Sequence, residues 1–310
     1  MRVPSSLTNH CIKALSQSMD NGTMTVMARR LLPGYDLHKR TGIPKSVAIP
    51  NRNAASQIVR DIIDCQMFLD FVLLLFESSE IGNGIAGRKF AIPYLRQILS
   101  GVQAMGYLYD HGNRIFVENP NERKTRNWGT LKTQHEYTIA FLRIDIAGNT
   151  RLVRKYERSR IEQAYSGLRE IIKNSVERRN GRIWSWDGDG GLAAFCYGNM
   201  HEAAALSGIE ILHELFLYNR LSCPIEEGLD IRLAAHSGPV EYSDNDEIVQ
   251  ASDSVRKVAE IEHKHTQKNS ITVSEVVKVM LEPLTSKQFT PPKDRGRSGL
   301  YSYRLRVGKE

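Results

Sequence analysis

Apolar positions recur at helical spacing through the first part of the chain and change to alternating strand and helix patterns after about residue 130. Over residues 55–76, Ile58, Ile62, Ile63, Phe68, Phe71 and Val72 fall at helical intervals. Pro93 interrupts any continuation and starts a new element over residues 94–102. Residues 112–133 are polar and turn-rich, with ENPNERK at 118–124, and read as a linker. The expected division is a mostly helical region, 1–130, followed by a second domain, 131–310. In that domain residues 137–146 read as a strand, and Ile161, Tyr165, Leu168, Ile171, Ile172 and Val176 as one face of a long helix. Two apolar runs, 181–186 and 191–197, flank DGDG at 187–190, the composition of a tight hairpin. A helix (203–218), a strand (229–236), a helix (253–265) and a short strand (270–273) complete an α/β layer sandwich large enough for its own core.

Composition narrows the class. The 310 residues are 41% hydrophobic and 25% charged, which suits one large or two ordinary folded domains and excludes a disordered or coiled-coil chain. The longest apolar run, residues 71–76, is far short of the ~20 residues that cross a bilayer, so no membrane span is expected. Met1 to Ser5 lead into mixed polar sequence without a signal-peptide pattern, and a cytoplasmic location is expected. Cys11, Cys65, Cys196 and Cys223 lack CxxC spacing, which argues for buried thiols rather than disulfides or zinc. The net charge of +7 is uneven: the first 133 residues carry about 17 basic and about 10 acidic groups. Any acidic partner is therefore expected to meet the first half, although the dense basic and aromatic mixture of a nucleic-acid site is missing.

Two aspartates carry the candidate chemistry. Asp145 ends an apolar strand before a small-residue turn, and Asp189 lies at the hairpin tip. Either one alone also reads as a turn residue. A carboxylate where a strand opens to solvent costs desolvation energy unless it is paired or binds a cation. If the two strands are neighbours, the carboxylates converge as hard-oxygen ligands for Mg2+ or Mn2+. The backbone N–H groups of Ala147, Gly148, Asn149 and Thr150 would then face a polyphosphate. The run 82–87 satisfies GxGxxG, but a helical apolar segment precedes it and Pro93 follows, so it reads as a turn and not as a dinucleotide site. His236 lacks a second histidine at metal-ligand spacing and reads as a structural residue.

Four stretches resemble class III nucleotidyl cyclases, in family order over about residues 135–285. IDIAGNT at 144–150 is similar to the family's D-I-x-G-[FS]-[ST], with Asn149 a departure. GRIWSWDGDGGLAAF at 181–195 is similar to G-R-x-x-K-x-x-G-D-G-x-L-A-x-F, IRLAAHSGPV at 231–240 to R-I-G-I-H-x-G-x-V, and ITVS at 271–274 to I-x-V-S. The resemblance implies a ferredoxin-like class III cyclase catalytic domain behind a mostly helical N-terminal region. It implies two Mn2+ or Mg2+ ions held by Asp145 and Asp189 with the backbone of Ile146, and a phosphate grip at Ala147, Gly148, Asn149 and Thr150. The implied reaction turns a nucleoside triphosphate into a 3′,5′-cyclic mononucleotide and pyrophosphate, in a homodimer with sites at the interface.

The departures bear on substrate. Four residues before the second metal aspartate the family places Lys for adenine or Glu for guanine, and here stands Ser185. Strict alternation would put Trp184 and Trp186 together on the face opposite Ser185. The family's V-N-x-A-x-R aligns with VRKVAE at 255–260, so Arg256 replaces the ribose-orienting Asn and Glu260 the transition-state Arg. Arg256 then either supplies charge to the α-phosphate or forms a surface pair with Glu260 one turn away. Tyr156 either reaches the nucleotide or packs. Lack of a purine code resembles the pyrimidine cyclases of bacterial antiphage Pycsar systems. That resemblance implies UTP or CTP as substrate, a phage component as activator and a separate effector that senses the product. The alternatives are an adenylate cyclase and a degenerate nucleotide-binding module.

Overall fold

In a computed structural model, the helical periodicity of the first part forms α1 (Ser5–Ser18), α2 (Asn21–Leu31), α3 (Leu37–Thr41), α4 (Asn51–Asp64), α5 (Phe68–Glu80) and α6 (Leu95–Ala104). The structure describes residues 2–80, 89–122, 125–291 and 299–305, so the run 82–87 lies outside the described residues. The apolar stretch 55–76 is divided between α4 and α5 at Gln66, whose φ is +59°. A left-handed residue cannot continue an α-helix, so the pattern persists while the axis breaks. Asp20 and Asp36 cap α2 and α3 through their carboxylates. The segment read as a linker is partly ordered: β1 (Tyr107–Asp110) and β2 (Ile115–Glu118) pair as an antiparallel hairpin. Four-residue strands are too short to show an alternation. The chain divides into two compact units, Met1–Arg123 and Lys124–Glu310.

The second unit contains β3 (Glu136–Ile146), α7 (Asn149–Lys155), α8 (Arg158–Glu177), β4 (Arg182–Asp187), β5 (Gly190–Phe195), α9 (Met200–Leu221) and β6 (Ile231–Glu241). It continues with α10 (Asp246–Gln250), α11 (Asp253–Glu260), β7 (Ser270–Ser274), α12 (Glu275–Val279), α13 (Pro283–Ser286) and β8 (Leu300–Arg304). The sheet order is β4-β5-β3-β6-β7-β8, and only β6 and β7 are parallel. β3 through β6 with α8 and α9 make the ferredoxin-like βαββαβ unit expected from the sequence. β3 is at its centre and is apolar on both faces. Leu142 and Ile144 pack with Leu168, Ile172 and Ile211 on the α8 and α9 side, while Ile139 and Phe141 pack with Trp128, Val255 and Val258 on the other. Burying each such side chain contributes about 1.5–3 kcal/mol over leaving it exposed.

The alternation expected across Trp184, Ser185 and Trp186 is overturned by a register shift of β4 against β5 between Ile183 and Ser185. Trp184 joins Trp128 and Phe141, whereas Trp186 packs on the α8 and α9 side. Ser185 pairs with Leu192, a member of the Trp184 cluster, and so shares the face of Trp184. A bulge inserts one residue and flips those beyond it. The helix expected over 253–265 ends at Glu260 and runs into a π-helical turn, Ile261–His265. No described helix is long and apolar enough to cross a membrane.

Candidate active site

Asp145 is the penultimate residue of β3, paired in register with Gly190 on β5 and with Arg232 on β6. Asp187 pairs with Gly190, leaving Gly188 and Asp189 as a two-residue turn in which Gly188 has φ +56°. Glycine adopts that value without steric cost, which suits the first position of a tight hairpin. The N–H of Ile146 donates to the carbonyl of Asp189 at 3.2 Å. The backbone thus brings Asp145, Ile146 and Asp189 to one end of neighbouring strands. Gly190 lets the strands approach closely at that end: a Cβ there would lie 2.9 Å from the Ile144 carbonyl and 3.6 Å from both Asp145 Oδ1 and Arg143 Nη2.

Charged side chains that received no role in the sequence reading surround Asp145. Arg232 donates to Asp145 Oδ2, and its Nε lies 2.7 Å from Glu262 Oε1, on the π-helical turn. Burial, and then the charge of Asp145, push the Glu262 carboxyl above its ordinary value against the pull of Arg232, Arg143 and His263. Arg143 lies two residues before Asp145 on the same strand face, and its buried Nε has no hydrogen-bond partner among the described residues. The available signal was a lone Arg within each of two apolar strands.

Ala147 departs from the expected phosphate grip, because its N–H donates to the Asp230 carbonyl at 2.8 Å. The amides of Gly148, Asn149 and Thr150, at the start of α7, have no partner among the described residues. Gly148 has φ +81°, and the Asn149 side chain accepts from the Tyr165 hydroxyl. Burial, then the charge of Asp189, raise the Tyr165 phenol.

Tyr156 ends α7 and packs against the α8 and α9 core, with Lys155 Nζ 5.0 Å from its ring centre. Arg256 is exposed on α11 and pairs with Asp253 of its own helix, while Glu260 pairs with Lys257 and Lys264. The Arg256–Glu260 pair considered from the sequence does not form, and within this chain Arg256 is not brought to Asp145. His236 is half-buried with Nδ1 2.9 Å from the Ser274 hydroxyl, as a structural histidine. Cys11 is buried, but Cys65 is exposed and Cys196 and Cys223 are intermediate, so burial holds for one thiol in full.

Among the described residues no three His, Cys, Asp or Glu side chains cluster as a metal cage. A site of two carboxylates and backbone oxygens nevertheless suits Mg2+ or Mn2+, which retain waters and take substrate phosphates in place of a full protein cage. Arg232 engages Oδ2 of Asp145 and leaves Oδ1 for a cation, so these donors fit such ions.

No family model matches the chain, and no curated protein matches it. Solved structures similar to it are cyclase domains. The adenylate/guanylate cyclase/hydrolase of Silicibacter pomeroyi is 23% identical with TM-score 0.44, over 56% of this chain and 99% of that one. The guanylate cyclase domain of RhGC from Catenaria anguillulae, in complex with GTP, is 16% identical with TM-score 0.44, over 55% and 96%. The monomeric guanylyl cyclase domain of the RhoGC fusion protein from the aquatic fungus Blastocladiella emersonii is 16% identical with TM-score 0.44, over 51% and 91%.

Proposed function

We propose that the second unit is a nucleotidyl cyclase that converts UTP, or secondarily CTP, to the 3′,5′-cyclic monophosphate and pyrophosphate. The observation that supports the reading is the backbone tie of Ile146 to Asp189 beside the Asp145–Gly190 register pair, which sets the backbones of the two aspartates side by side. The ribose 3′-oxygen forms a bond to the α-phosphorus as the bond to the pyrophosphate oxygen breaks, and the hydroxyl proton passes to water. Bound Mg2+ or Mn2+ would acidify the 3′-hydroxyl and neutralise the leaving pyrophosphate. Asp145 and Asp189, with the backbone of Ile146, would hold the ions. The free amides of Gly148, Asn149 and Thr150 would grip the outer phosphates. Arg232 fixes the orientation of Asp145. Arg256 acts on the α-phosphate of the site formed with a second copy of the chain, and Ser185 lies toward the nucleoside, while Tyr156 packs in the core.

The pyrimidine preference rests on Ser185, a small hydroxyl where a charged side chain would read a purine. By the same resemblance the product is a second messenger in cytoplasmic antiphage defence, read by a separate effector, with the basic first unit answering a phage component. Incubation of the purified chain with each of the four triphosphates and Mn2+, followed by mass spectrometry, tests the reading. Cyclic UMP is expected to dominate over cyclic CMP. Cyclic AMP as the main product would remove the pyrimidine preference and keep the cyclase, whereas no cyclic product would leave a nucleotide-binding module.

A further inference from the structure

Resting on the reading of this end of the sheet as a triphosphate site, we propose that Arg143 is a further substrate-contacting residue whose guanidinium donates to triphosphate oxygens beside Asp145. Besides Asp189, four charged groups share the region, and three are committed to one another: Arg232 to Asp145 and to Glu262. Arg143 is the remaining one. Its Nε is buried with no hydrogen-bond partner among the described residues, and the attraction between its charge and Glu262 leaves that donor unpaired. Its register neighbours are Leu192 and Ala234, neither of which has a side chain able to accept a hydrogen bond.

Two groups that such a ligand needs flank Gly190. The point where a side chain at Gly190 would begin is 3.6 Å from Arg143 Nη2 and 3.6 Å from Asp145 Oδ1. A guanidinium donates only, and its planar fork matches the paired oxygens of a phosphate, while the neighbouring carboxylate oxygen suits a cation that travels with the phosphates.

Titration calorimetry on the full chain with Mn2+ tests this, using inorganic pyrophosphate and the non-cyclisable α,β-methylene analogues of the four nucleotides. Arg143→Ala is expected to bind all five at least about tenfold more weakly than the unaltered chain, and Arg143→Lys by less. Arg143→Gln, of similar length and uncharged, replaces the alanine variant if the latter does not give the native tryptophan fluorescence. Unchanged affinity, or a loss confined to one base, overturns the proposal, the latter by making Arg143 a base reader. An unaltered chain that binds none of the probes overturns both this proposal and the cyclase reading. One that binds the probes but forms no cyclic product from any of the four natural triphosphates sinks the cyclase reading alone, and the comparison of variants still decides the role of Arg143.

Discussion

Arg232 stands between Asp145 and Glu262, donating to Oδ2 of the first while its Nε lies 2.7 Å from Oε1 of the second. The three residues come from β3, β6 and the turn after α11, so one guanidinium joins three parts of the second unit. Its removal would leave two carboxylates facing each other on a half-buried surface, which is the costly way to break an ion pair. Arg232→Ala is expected to lower turnover at least about a hundredfold and to lower the urea midpoint. Arg232→Lys keeps the charge but lacks the fork that spans both acids, so it should fall between. Initial rates with Mn2+ and equilibrium unfolding check both.

Asp189 is only half-buried, in a turn whose geometry depends on Gly188 and on backbone bonding. Asp189→Asn should therefore leave stability within about 0.5 kcal/mol, the usual range for a surface change. Turnover should fall at least about a hundredfold, because a metal-binding oxygen loses its charge. Activity near that of the unaltered chain would remove Asp189 from the metal site.

Trp128 is fully buried, donates from Nε1 to the Asn180 carbonyl at 2.7 Å and lies edge-on to Tyr197. Arg182 covers its ring at 5.3 Å and reaches back to the Thr125 carbonyl at 2.7 Å. Trp128→Ala should cost the second unit about 3–5 kcal/mol. The chain has three tryptophans, Trp128, Trp184 and Trp186, all in this unit. Fluorescence-detected urea unfolding consequently reports it without the first unit.

The long elements were legible because their apolar period runs over many residues. β3, α8, α9, β6 and the hairpin all fall where the pattern puts them, and the aspartates were found by the motifs around them. Short elements carried too few residues for a period, so β1, β2, β8 and the short helices α10, α12 and α13 went unread, whereas α7 was expected from the small-residue turn after Asp145. The bulge in β4 could not be read from β4 alone, since it consists in a shift against β5. Arg232 and Glu262 are 30 positions apart, and their meeting over Asp145 depends on sheet order and on the π-helical turn.

Two histidines give the second unit a calculable acid response. Burial lowers the His201 imidazole below its ordinary value of 6.5, and burial followed by the charge of Lys257 lowers His236. Above pH 7 both are neutral in the folded and unfolded chain and contribute nothing. As the pH falls below about 6.5 the unfolded chain takes up protons that the folded chain refuses, so stability is lost until the folded values are reached. The loss is up to about 1.4 kcal/mol per histidine for each pH unit in that window. Replacing both with Asn should flatten the fall in urea midpoint between pH 7 and pH 5 relative to the unaltered chain. An equal fall in both proteins would assign the acid response to carboxylates alone.

Arg256 points the question of assembly at a single experiment. It sits on α11 paired with Asp253 and makes no described ion pair with Asp145 or Asp189, so its proposed role is assigned to a second copy. Asp189→Asn and Arg256→Ala should each be nearly inactive alone. When the two variants are mixed and allowed to exchange subunits, a hybrid dimer holds one site with both changes and one with neither. Random exchange makes half the dimers hybrid, so recovery to about a quarter of the unaltered activity is expected for a two-fold assembly with composite sites. No recovery, with exchange verified by a mass-tagged subunit, would place Arg256 outside the reaction or the whole site within one chain. Inactivity of Asp189→Asn beside full activity of Arg256→Ala would select the first of these outcomes.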